Sequence, residues 1–437
     1  MQNSFKAALV HPLTHEIAGE VKIPGSKSFT NRAIILAIAA DGVSTIENPL
    51  YSDDTLYGLT VAEDLGCEVH REPGSVSIRG IGRRRPKQGN VLNVGSAGTI
   101  ARFLPCLLAF GDAGEWDLTA SPQMSKRPMS GLLSALGQLG GLVECLELPG
   151  RYPLAVRGGR HQTNSLSVEG NISSQYLSGI LLSAPLLTGG LSVSTAGGVV
   201  QSAYVDMTID CMRSFGAEVE TTEGLKTLKV KGGAYHPTDI AVEADASTAS
   251  YFAALPAIVG GSILLSNISK RTKQPDIRFL EILEAFGCSV SWIETGGVVV
   301  ERPRETTRIK GGHKFNLNDC SDIALTVAAI SVFADSPVTI EGVEHIRHHE
   351  SDRIAAMTQA LTAMAIRVEE RHDGWKIWPS SPSFASVATH DDHRVAMALA
   401  VVGLAGSGVR LDQPSCVSKT CPDFYALLAD LGANITI

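Results

Sequence analysis

Apolar and polar residues follow one coarse pattern that occurs six times along the chain. Each time, a short cluster of small or polar residues precedes an apolar run of helix length with few or no charges. A helix that is apolar on all sides has to be covered on all sides, so each run predicts a buried helix. At steps of 70 to 75 residues, the clusters begin at Gly25, Gly95, Gly170, Glu243, Asn318 and His390.

A second pattern recurs out of phase with the first. An amphipathic helical stretch ends at a glycine and leads into a strand, as in "LGCEV" at Gly66 and "LGANI" at Gly432. Glycine after a helix predicts a left-handed C-cap. Five of the six occurrences have it, at Gly66, Gly140, Gly216, Gly287 and Gly432, whereas "MAIRV" has Ala365.

Together the two patterns predict six copies of one α/β unit of about 73 residues. Each copy contains a buried helix, an amphipathic helix and short strands such as "VSTIEN" and "VTIEGV". This period is long for a solenoid. We therefore expect two groups of three units, with a boundary near Ala241–Asp245.

Composition narrows the classes of function. The 437 residues carry a formal net charge of −8 and only 5% aromatic residues, which disfavours nucleic-acid partners. Uncharged runs are too short to span a membrane. The eight cysteines lack CxxC spacing, which favours reduced thiols and a cytoplasmic protein.

Cations at the predicted helix starts point to a ligand. Ser, Thr, Asp and Asn there are ordinary N-caps, but a cation opposes the helix dipole. Seven cations occupy such positions: Lys27, Arg32, Arg102, Arg127, Arg353, Arg394 and Lys419. Because they come from both halves of the chain, we expect them to bind a small polyanion in a cleft between two domains.

Several of these segments resemble the 5-enolpyruvylshikimate-3-phosphate (EPSP) synthase family. They are "PGSKSFTNRA", "GSAGTIARF", "RPM", "SSQYLSGILLSAPL", "DASTASYF", "HESDR", "DDHRVAM" and "KTCPDF", in that order along nearly the whole chain. The resemblance implies a two-domain inverse α/β barrel of six βαβαββ repeats. It also implies that the chain crosses between the domains twice, giving domains 25–242 and 1–24 with 243–437.

The resemblance also implies a reaction. The carboxyvinyl group of phosphoenolpyruvate is transferred to the 5-hydroxyl of shikimate 3-phosphate, and phosphate is released. Both substrates are anions that lysine and arginine can clamp. The addition and elimination steps need proton-transfer groups but no metal or organic cofactor. We expect a cytoplasmic monomer, with no nucleic-acid or membrane partner.

Roles for individual residues follow from the resemblance. The implied catalytic residues are Asp322, as acceptor of the 5-hydroxyl proton, Glu350, for the proton at C3, and Lys27. The residues implied to bind shikimate 3-phosphate are Lys27, Ser28, Arg32, Ser173, Ser174, Gln175, Tyr204, Asp322 and His349. The residues implied to bind phosphoenolpyruvate are Lys27, Gly98, Arg127, Gln175, Arg353, Arg394 and Lys419. A position in the core is the alternative for Tyr204.

The sequence departs from the family pattern at four positions. His349 stands where a lysine is usual, so the charge there depends on pH. Ser96 replaces an asparagine, Phe103 a proline, and Gln201 a serine. Family members bind glyphosate in the phosphoenolpyruvate site, and these departures leave the sensitivity of this chain open.

Other functions compete with this interpretation. Histidines in "HIRHHESDR" and "THDDHR" suggest a metal site, with His390 and His393 at ligand spacing if helical, although the arginines there oppose a cation. The UDP-N-acetylglucosamine carboxyvinyl transferase shares the fold, but it uses a loop cysteine that segment 113–127 lacks. RNA 3′-phosphate cyclase shares part of the unit. A catalytically inactive binding scaffold is the last alternative. Loss of Lys27, Asp322, Glu350 or Arg394 would have favoured it, but all four are present.

Overall fold

The computed structural model describes residues 7–82, 86–159, 161–169, 172–196, 199–294, 296–303 and 308–437. These residues form two compact units. The N-unit comprises residues 25–243, and the C-unit comprises the described residues up to Pro24 together with Ala244–Ile437. The domain boundary drawn from the sequence differs at one residue, because Glu243 belongs to the N-unit.

The elements up to the end of the N-unit follow the predicted order of helices and strands. From residue 7 onwards, two strands precede the N-unit, β1 (Ala7–Val10) and β2 (Ile17–Val21). The N-unit contains α1 (Lys27–Ala39), β3 (Val43–Glu47), α2 (Asp53–Asp64), β4 (Glu68–Glu72), β5 (Ser75–Arg79), β6 (Val91–Asn93), α3 (Ile100–Phe110), β7 (Glu115–Thr119), α4 (Pro122–Ser125), α5 (Ser130–Gln138), β8 (Leu142–Cys145), β9 (Leu154–Arg157), β10 (Ser165–Glu169), β11 (Ile172–Ser173), α6 (Ser174–Ser183), β12 (Leu191–Ala196), β13 (Val199–Val200), α7 (Ser202–Ser214), β14 (Val219–Thr221), β15 (Thr227–Val230) and β16 (Ile240–Ala241).

The rest of the C-unit repeats the same succession. It contains α8 (Ala246–Val259), β17 (Gly261–Leu265), α9 (Phe279–Ala285), β18 (Ser289–Trp292), β19 (Val298–Arg302), β20 (Lys314–Asn316), α10 (Ala324–Ser331), β21 (Val338–Glu341), α11 (Arg353–Ala363), β22 (Val368–Arg371), β23 (Gly374–Ile377), β24 (Ala385–Val387), α12 (His393–Ala405), β25 (Val409–Asp412), α13 (Phe424–Asp430) and β26 (Ile435–Thr436). Short 3₁₀ helices occupy Ala184–Leu186, Glu223–Leu225, Pro275–Arg278, Ser321–Ile323, Glu344–His348 and Pro414–Lys419.

In the described part of the chain, six four-stranded sheets share one topology, which confirms the predicted repeat. In each sheet the first two strands are parallel and the next two pairings are antiparallel. The N-unit sheets have the orders β16-β3-β5-β4, β6-β7-β9-β8 and β10-β12-β15-β14. The C-unit sheets have the orders β2-β17-β19-β18, β20-β21-β23-β22 and β24-β25-β1-β26.

Strands distant in sequence complete three of these sheets. In the N-unit, β16 pairs parallel to β3 and supplies the first strand of the first repeat. In the C-unit, β2 pairs with β17, and β1 lies between β25 and β26. The amino-terminal strands are therefore hydrogen-bonded parts of C-unit sheets.

The apolar runs form the helices at the centre of each unit. Helices α1, α3 and α6 contact one another in the N-unit, and α8, α10 and α12 do so in the C-unit. All eleven residues of α3 and all eight of α10 are buried, as expected for helices without a polar face. The polar starts of these helices are consequently the positions where their charged residues can meet a ligand.

The left-handed caps predicted at the five glycines are present, and Ala365 adopts the same conformation in the fifth repeat. The φ angles of the five glycines lie between 84° and 96°, and that of Ala365 is 61°. The fifth repeat therefore keeps the turn with a residue that adopts it at a cost of roughly 1–2 kcal/mol. None of the helices in the described ranges combines the length and apolarity needed to cross a bilayer.

Candidate active site

Lys27 is the first residue of α1 and lies next to a buried carboxylate. Its Nζ is 3.5 Å from Oδ2 of Asp54, which is in the first turn of α2. Ser96, which precedes α3, donates from Oγ to Oδ1 of Asp54 at 3.3 Å. Asp54 thus connects the starts of three helices, and sequence reasoning missed it because an acidic first-turn residue is common.

Arg32, which the resemblance assigns to the binding of shikimate 3-phosphate, is fully buried. Its side chain is 1% exposed, and its guanidinium donates to the hydroxyls of Thr208 and Ser178 at 2.7 and 3.4 Å. It also donates to the carbonyl oxygens of Ser28 and Tyr204 at 2.8 and 3.0 Å. These acceptors are neutral, so burial lowers the pKa of Arg32, with Cys211 and Tyr204 opposing the shift.

Gly98 lies against two arginines. A methyl group on Gly98 would be 2.7 Å from Nη1 of Arg127 and 3.1 Å from Nη1 of Arg102. Arg102 also donates to the carbonyl of Gly98 at 2.8 Å. The missing side chain therefore allows both guanidinium groups to approach the backbone, which brings the predicted pair Gly98 and Arg127 together.

The start of α6 presents the predicted polar residues in succession. Ser173 is the N-cap, and its Oγ accepts a hydrogen bond from the backbone N–H of Gln175 at 3.3 Å. Ser174 is buried, while Gln175 and Tyr204 are half-buried. The Tyr204 ring centroid is 5.9 Å from Cζ of Arg32. Gly170 and Asn171, which open this motif in the sequence, lie outside the described residues.

In the C-unit, Asp322 is held by two arginines. Nη2 of Arg394 donates to Oδ2 of Asp322 at 2.7 Å, and Nη1 of Arg353 donates to Oδ1 at 3.4 Å. Asp322 lies in the 3₁₀ turn before α10, and its side chain is 17% exposed. The implied proton acceptor is therefore the most accessible carboxylate in a cluster of paired charges.

Glu350 and Lys419 form a second pair in this cluster. Nζ of Lys419 lies 3.3 Å from Oε1 of Glu350, and Nη2 of Arg353 donates to Oε2 at 2.8 Å. The side chains of Lys419 and Glu350 are both largely buried. Arg353 therefore joins Asp322 to Glu350, the two carboxylates to which the resemblance gives proton transfer.

His349 contacts the same arginine. Its Nδ1 is 3.1 Å from Nη1 of Arg353, so Nδ1 is the acceptor there. The neighbouring ring of His345 lies 5.7 Å away, centroid to centroid. Burial lowers the pKa of His345.

The histidine clusters do not have the geometry that a metal site needs. His390 and Asp391 have φ of 55° and 54° and precede α12, which begins at His393. The helical spacing of His390 and His393 on which the metal alternative depended is therefore absent. In the described ranges, no three His, Cys, Asp or Glu side chains are arranged to hold a metal ion.

Comparisons with known proteins agree on one family. The chain matches the family model of EPSP synthase (3-phosphoshikimate 1-carboxyvinyltransferase) over residues 13–428. It is 42% identical over 439 residues to a Halalkalibacterium halodurans protein named 3-phosphoshikimate 1-carboxyvinyltransferase 2, covering 99% of this chain and 96% of that protein. It is 37% identical over 415 residues to the 3-phosphoshikimate 1-carboxyvinyltransferase of Trichormus variabilis, with 94% and 96% covered.

A solved structure supports the fold independently. EPSP synthase from Acinetobacter baumannii superposes with a TM-score of 0.79 at 23% sequence identity, covering 99% of this chain and all of that one. This confirms the architecture of six βαβαββ repeats expected from the sequence.

Proposed function

The chain belongs to the EPSP synthase family, and we propose that the charged clusters of its two units carry out this family's reaction. The reaction transfers the carboxyvinyl group of phosphoenolpyruvate to the 5-hydroxyl of shikimate 3-phosphate and releases phosphate. The observation that carries the proposal is the pairing of Asp322 and Glu350 through Arg353. Two fixed carboxylates suit a reaction that moves one proton off an oxygen and another on and off a carbon.

The C-unit cluster performs the proton transfers in this proposal. Its members are Asp322, Glu350, Arg353, Arg394 and Lys419. Asp322 accepts the proton of the 5-hydroxyl while the oxygen of that hydroxyl bonds to C2 of phosphoenolpyruvate. Glu350, beside the Lys419 ammonium, gives a proton to C3 in this addition step and takes one back from C3 in the second step. In the second step the bond from C2 to the phosphate oxygen breaks and C3 loses a proton, which restores the double bond. Arg394 and Lys419 offset the charge of phosphoenolpyruvate.

The N-unit cluster binds anionic groups of the substrates in this proposal. Its eight members are Lys27, Ser28, Gly98, Arg127, Ser173, Ser174, Gln175 and Tyr204. Ser28, Ser173, Ser174, Gln175 and Tyr204 provide hydroxyl and amide groups for shikimate 3-phosphate, and Lys27, Gly98 and Arg127 act on phosphoenolpyruvate. The burial of Arg32 and its bonds to the backbone of Ser28 and Tyr204 support a role beneath these residues. We therefore propose that Arg32 holds the binding surface rather than touching the ligand in this conformation.

The setting of the enzyme forms part of the proposal. All eight cysteines are free thiols, six of them buried, which fits a reducing compartment such as the cytoplasm. The proposed mechanism uses no metal or organic cofactor. We also propose a monomer, which light scattering at working concentration would test.

One assay tests the function. Purified protein is given phosphoenolpyruvate with shikimate 3-phosphate, and released inorganic phosphate is measured together with the carboxyvinyl product. Phosphoenolpyruvate alone is the blank, and UDP-N-acetylglucosamine replaces the acceptor in a third arm. We expect release only with shikimate 3-phosphate. Release only with the UDP-sugar, or equal release without any acceptor, would refute the proposal.

A further inference from the structure

Asp392 is a fully buried carboxylate beneath the C-unit cluster. It is 0% exposed and lies one residue before the first turn of α12. Its Oδ2 accepts hydrogen bonds from Nε of Arg353 and Oγ of Ser351, both at 2.9 Å. Its Oδ1 accepts from Nη2 of Arg353 at 3.2 Å and from the backbone N–H of Arg394 at 3.0 Å. Nδ1 of His393 is 3.8 Å from Oδ1.

We propose that Asp392 is a positioning residue for the reaction, acting through Arg353 and Arg394 on Asp322 and Glu350. The proposal rests on the function proposed above. Asp392 is not expected to touch a substrate, because its carboxylate is buried and four hydrogen bonds already engage it.

The first path runs through the fork of Arg353. Its five N–H groups face five acceptors: Oδ1 and Oδ2 of Asp392, Oδ1 of Asp322, Oε2 of Glu350 and Nδ1 of His349. A guanidinium group is planar and donates in fixed directions. The two bonds to Asp392 therefore set the plane of the fork, and this plane sets where Asp322 and Glu350 are held.

The second path runs through the start of α12. By accepting from the N–H of Arg394, Asp392 caps the helix, which fixes the backbone that carries the Arg394 side chain. That side chain donates to Oδ2 of Asp322 at 2.7 Å. Asp322 is thus held from two sides by arginines that share one buried anchor.

Charge supports the same role. Burial lowers the pKa of Arg353, but Asp392, Glu350 and Asp322 oppose this in that order, and the pKa of Arg353 is raised. With Asp392, three carboxylates balance Arg353, Arg394 and Lys419. Without it, the arginines would compete for Asp322 and Glu350, the carboxylates needed for proton transfer.

The test compares Asp392→Asn with Asp391→Asn. Asparagine caps a helix about as well as aspartate, so the first variant keeps the bond from the Arg394 N–H to its amide oxygen but turns its N–H₂ group towards Nε of Arg353, which loses its acceptor. Asp391 is the exposed neighbour with a left-handed backbone, which asparagine tolerates. We expect kcat to fall about 100-fold in Asp392→Asn, as for a misplacement of about 1 Å, and to stay within about 3-fold of wild type in Asp391→Asn.

A double-mutant cycle separates positioning from a general loss of stability. If Asp392 acts through Asp322 and Glu350, adding Asp392→Asn to a variant that carries both Asp322→Asn and Glu350→Gln should lower the residual kcat by less than about 5-fold. An undiminished 100-fold loss in that background, a kcat for Asp392→Asn within 3-fold of wild type, or an equal loss in Asp391→Asn would each overturn the proposal.

Two further measurements keep the test decisive. If Asp392→Asn does not fold, Ser351→Ala, which removes one bond to Oδ2 and no charge, should lower kcat about 3- to 10-fold; an unchanged kcat would overturn the proposal. Wild-type turnover is recorded in the same assay. Inactive wild type refutes the proposed function, whereas active wild type with a normal Asp392→Asn variant refutes only the positioning role.

Discussion

Arg32 in the N-unit and Arg353 in the C-unit are both 1% exposed, yet their surroundings differ. Arg32 is held by hydroxyl and carbonyl oxygens, and burial lowers its pKa. Arg353 is held by three carboxylates, and its pKa is raised.

The difference shows how one fold uses the same residue type in two ways. A buried arginine with neutral partners fixes backbone and hydroxyl groups in place, and its removal leaves groups that can hydrogen-bond to one another. A buried arginine that holds carboxylates sets the position and charge of acids and bases. We therefore expect substitutions in the C-unit cluster to affect chemistry, and those in the N-unit cluster to affect substrate binding.

Removing the implied base of the C-unit should have the largest effect. We expect Asp322→Ala to lose turnover by about 10³-fold, in the range for general base catalysis, while shikimate 3-phosphate still binds. Rapid-quench turnover and calorimetric titration measure the two quantities. Turnover close to wild type would show that Asp322 is not the base.

Replacing each buried arginine by methionine tests the comparison through stability. Arg353→Met leaves carboxylates without their buried partner, and we expect the free energy of unfolding to fall by about 3–5 kcal/mol. Arg32→Met leaves hydroxyl and carbonyl groups, and we expect a loss of about 1–3 kcal/mol. Urea denaturation of both variants gives the order, and an inverted order would contradict the distinction between charged and neutral partners.

Filling the space at Gly98 tests the N-unit cluster. A methyl group there would lie 2.7 Å from Nη1 of Arg127 and must displace the guanidinium. We expect Gly98→Ala to raise KM for phosphoenolpyruvate about 10-fold, equivalent to about 1.4 kcal/mol, with little change in KM for shikimate 3-phosphate. Gly137→Ala, where a methyl group meets nothing within 4 Å, is the matched control.

The pH dependence of stability should show the smallest effect. Burial lowers the pKa of His345, with Asp322 opposing and Arg353 adding to the shift. The unfolded chain therefore binds a proton more readily below about pH 6.5. Above that pH the neutral His345 ring makes its full contribution to the free energy of unfolding. This contribution is lost as the pH falls towards the lowered pKa of His345 in the folded state.

Replacing His345 by glutamine should make the decline in the free energy of unfolding between pH 7 and pH 5.5 shallower than in wild type. Urea denaturation at these two pH values measures the slopes. Equal slopes would show that the half-buried His345 ring does not resist protonation.

Several features of the fold and the candidate site follow from the sequence alone. The buried helices, the left-handed caps and the strands are local patterns, so they were predictable. Whether His390 and His393 share a helix could not be predicted, and left-handed residues at His390 and Asp391 in fact precede the helix. Asp54 and Asp392 were missed, since an acidic residue at a helix start gives no sign of its partner.

The sequence by itself determined the repeat, its family and the cations at the helix starts, because these depend on periodicity and on short motifs. Only the tertiary structure decided which charges meet. Asp322 lies 31 residues from Arg353 and 72 residues from Arg394 in the sequence. The residues next to Arg32 and Arg353 in the sequence do not indicate that Arg32 meets neutral groups and Arg353 meets carboxylates. Their pairing depends on which helix starts the sheets bring together, since hydrogen bonds reach only about 3 Å.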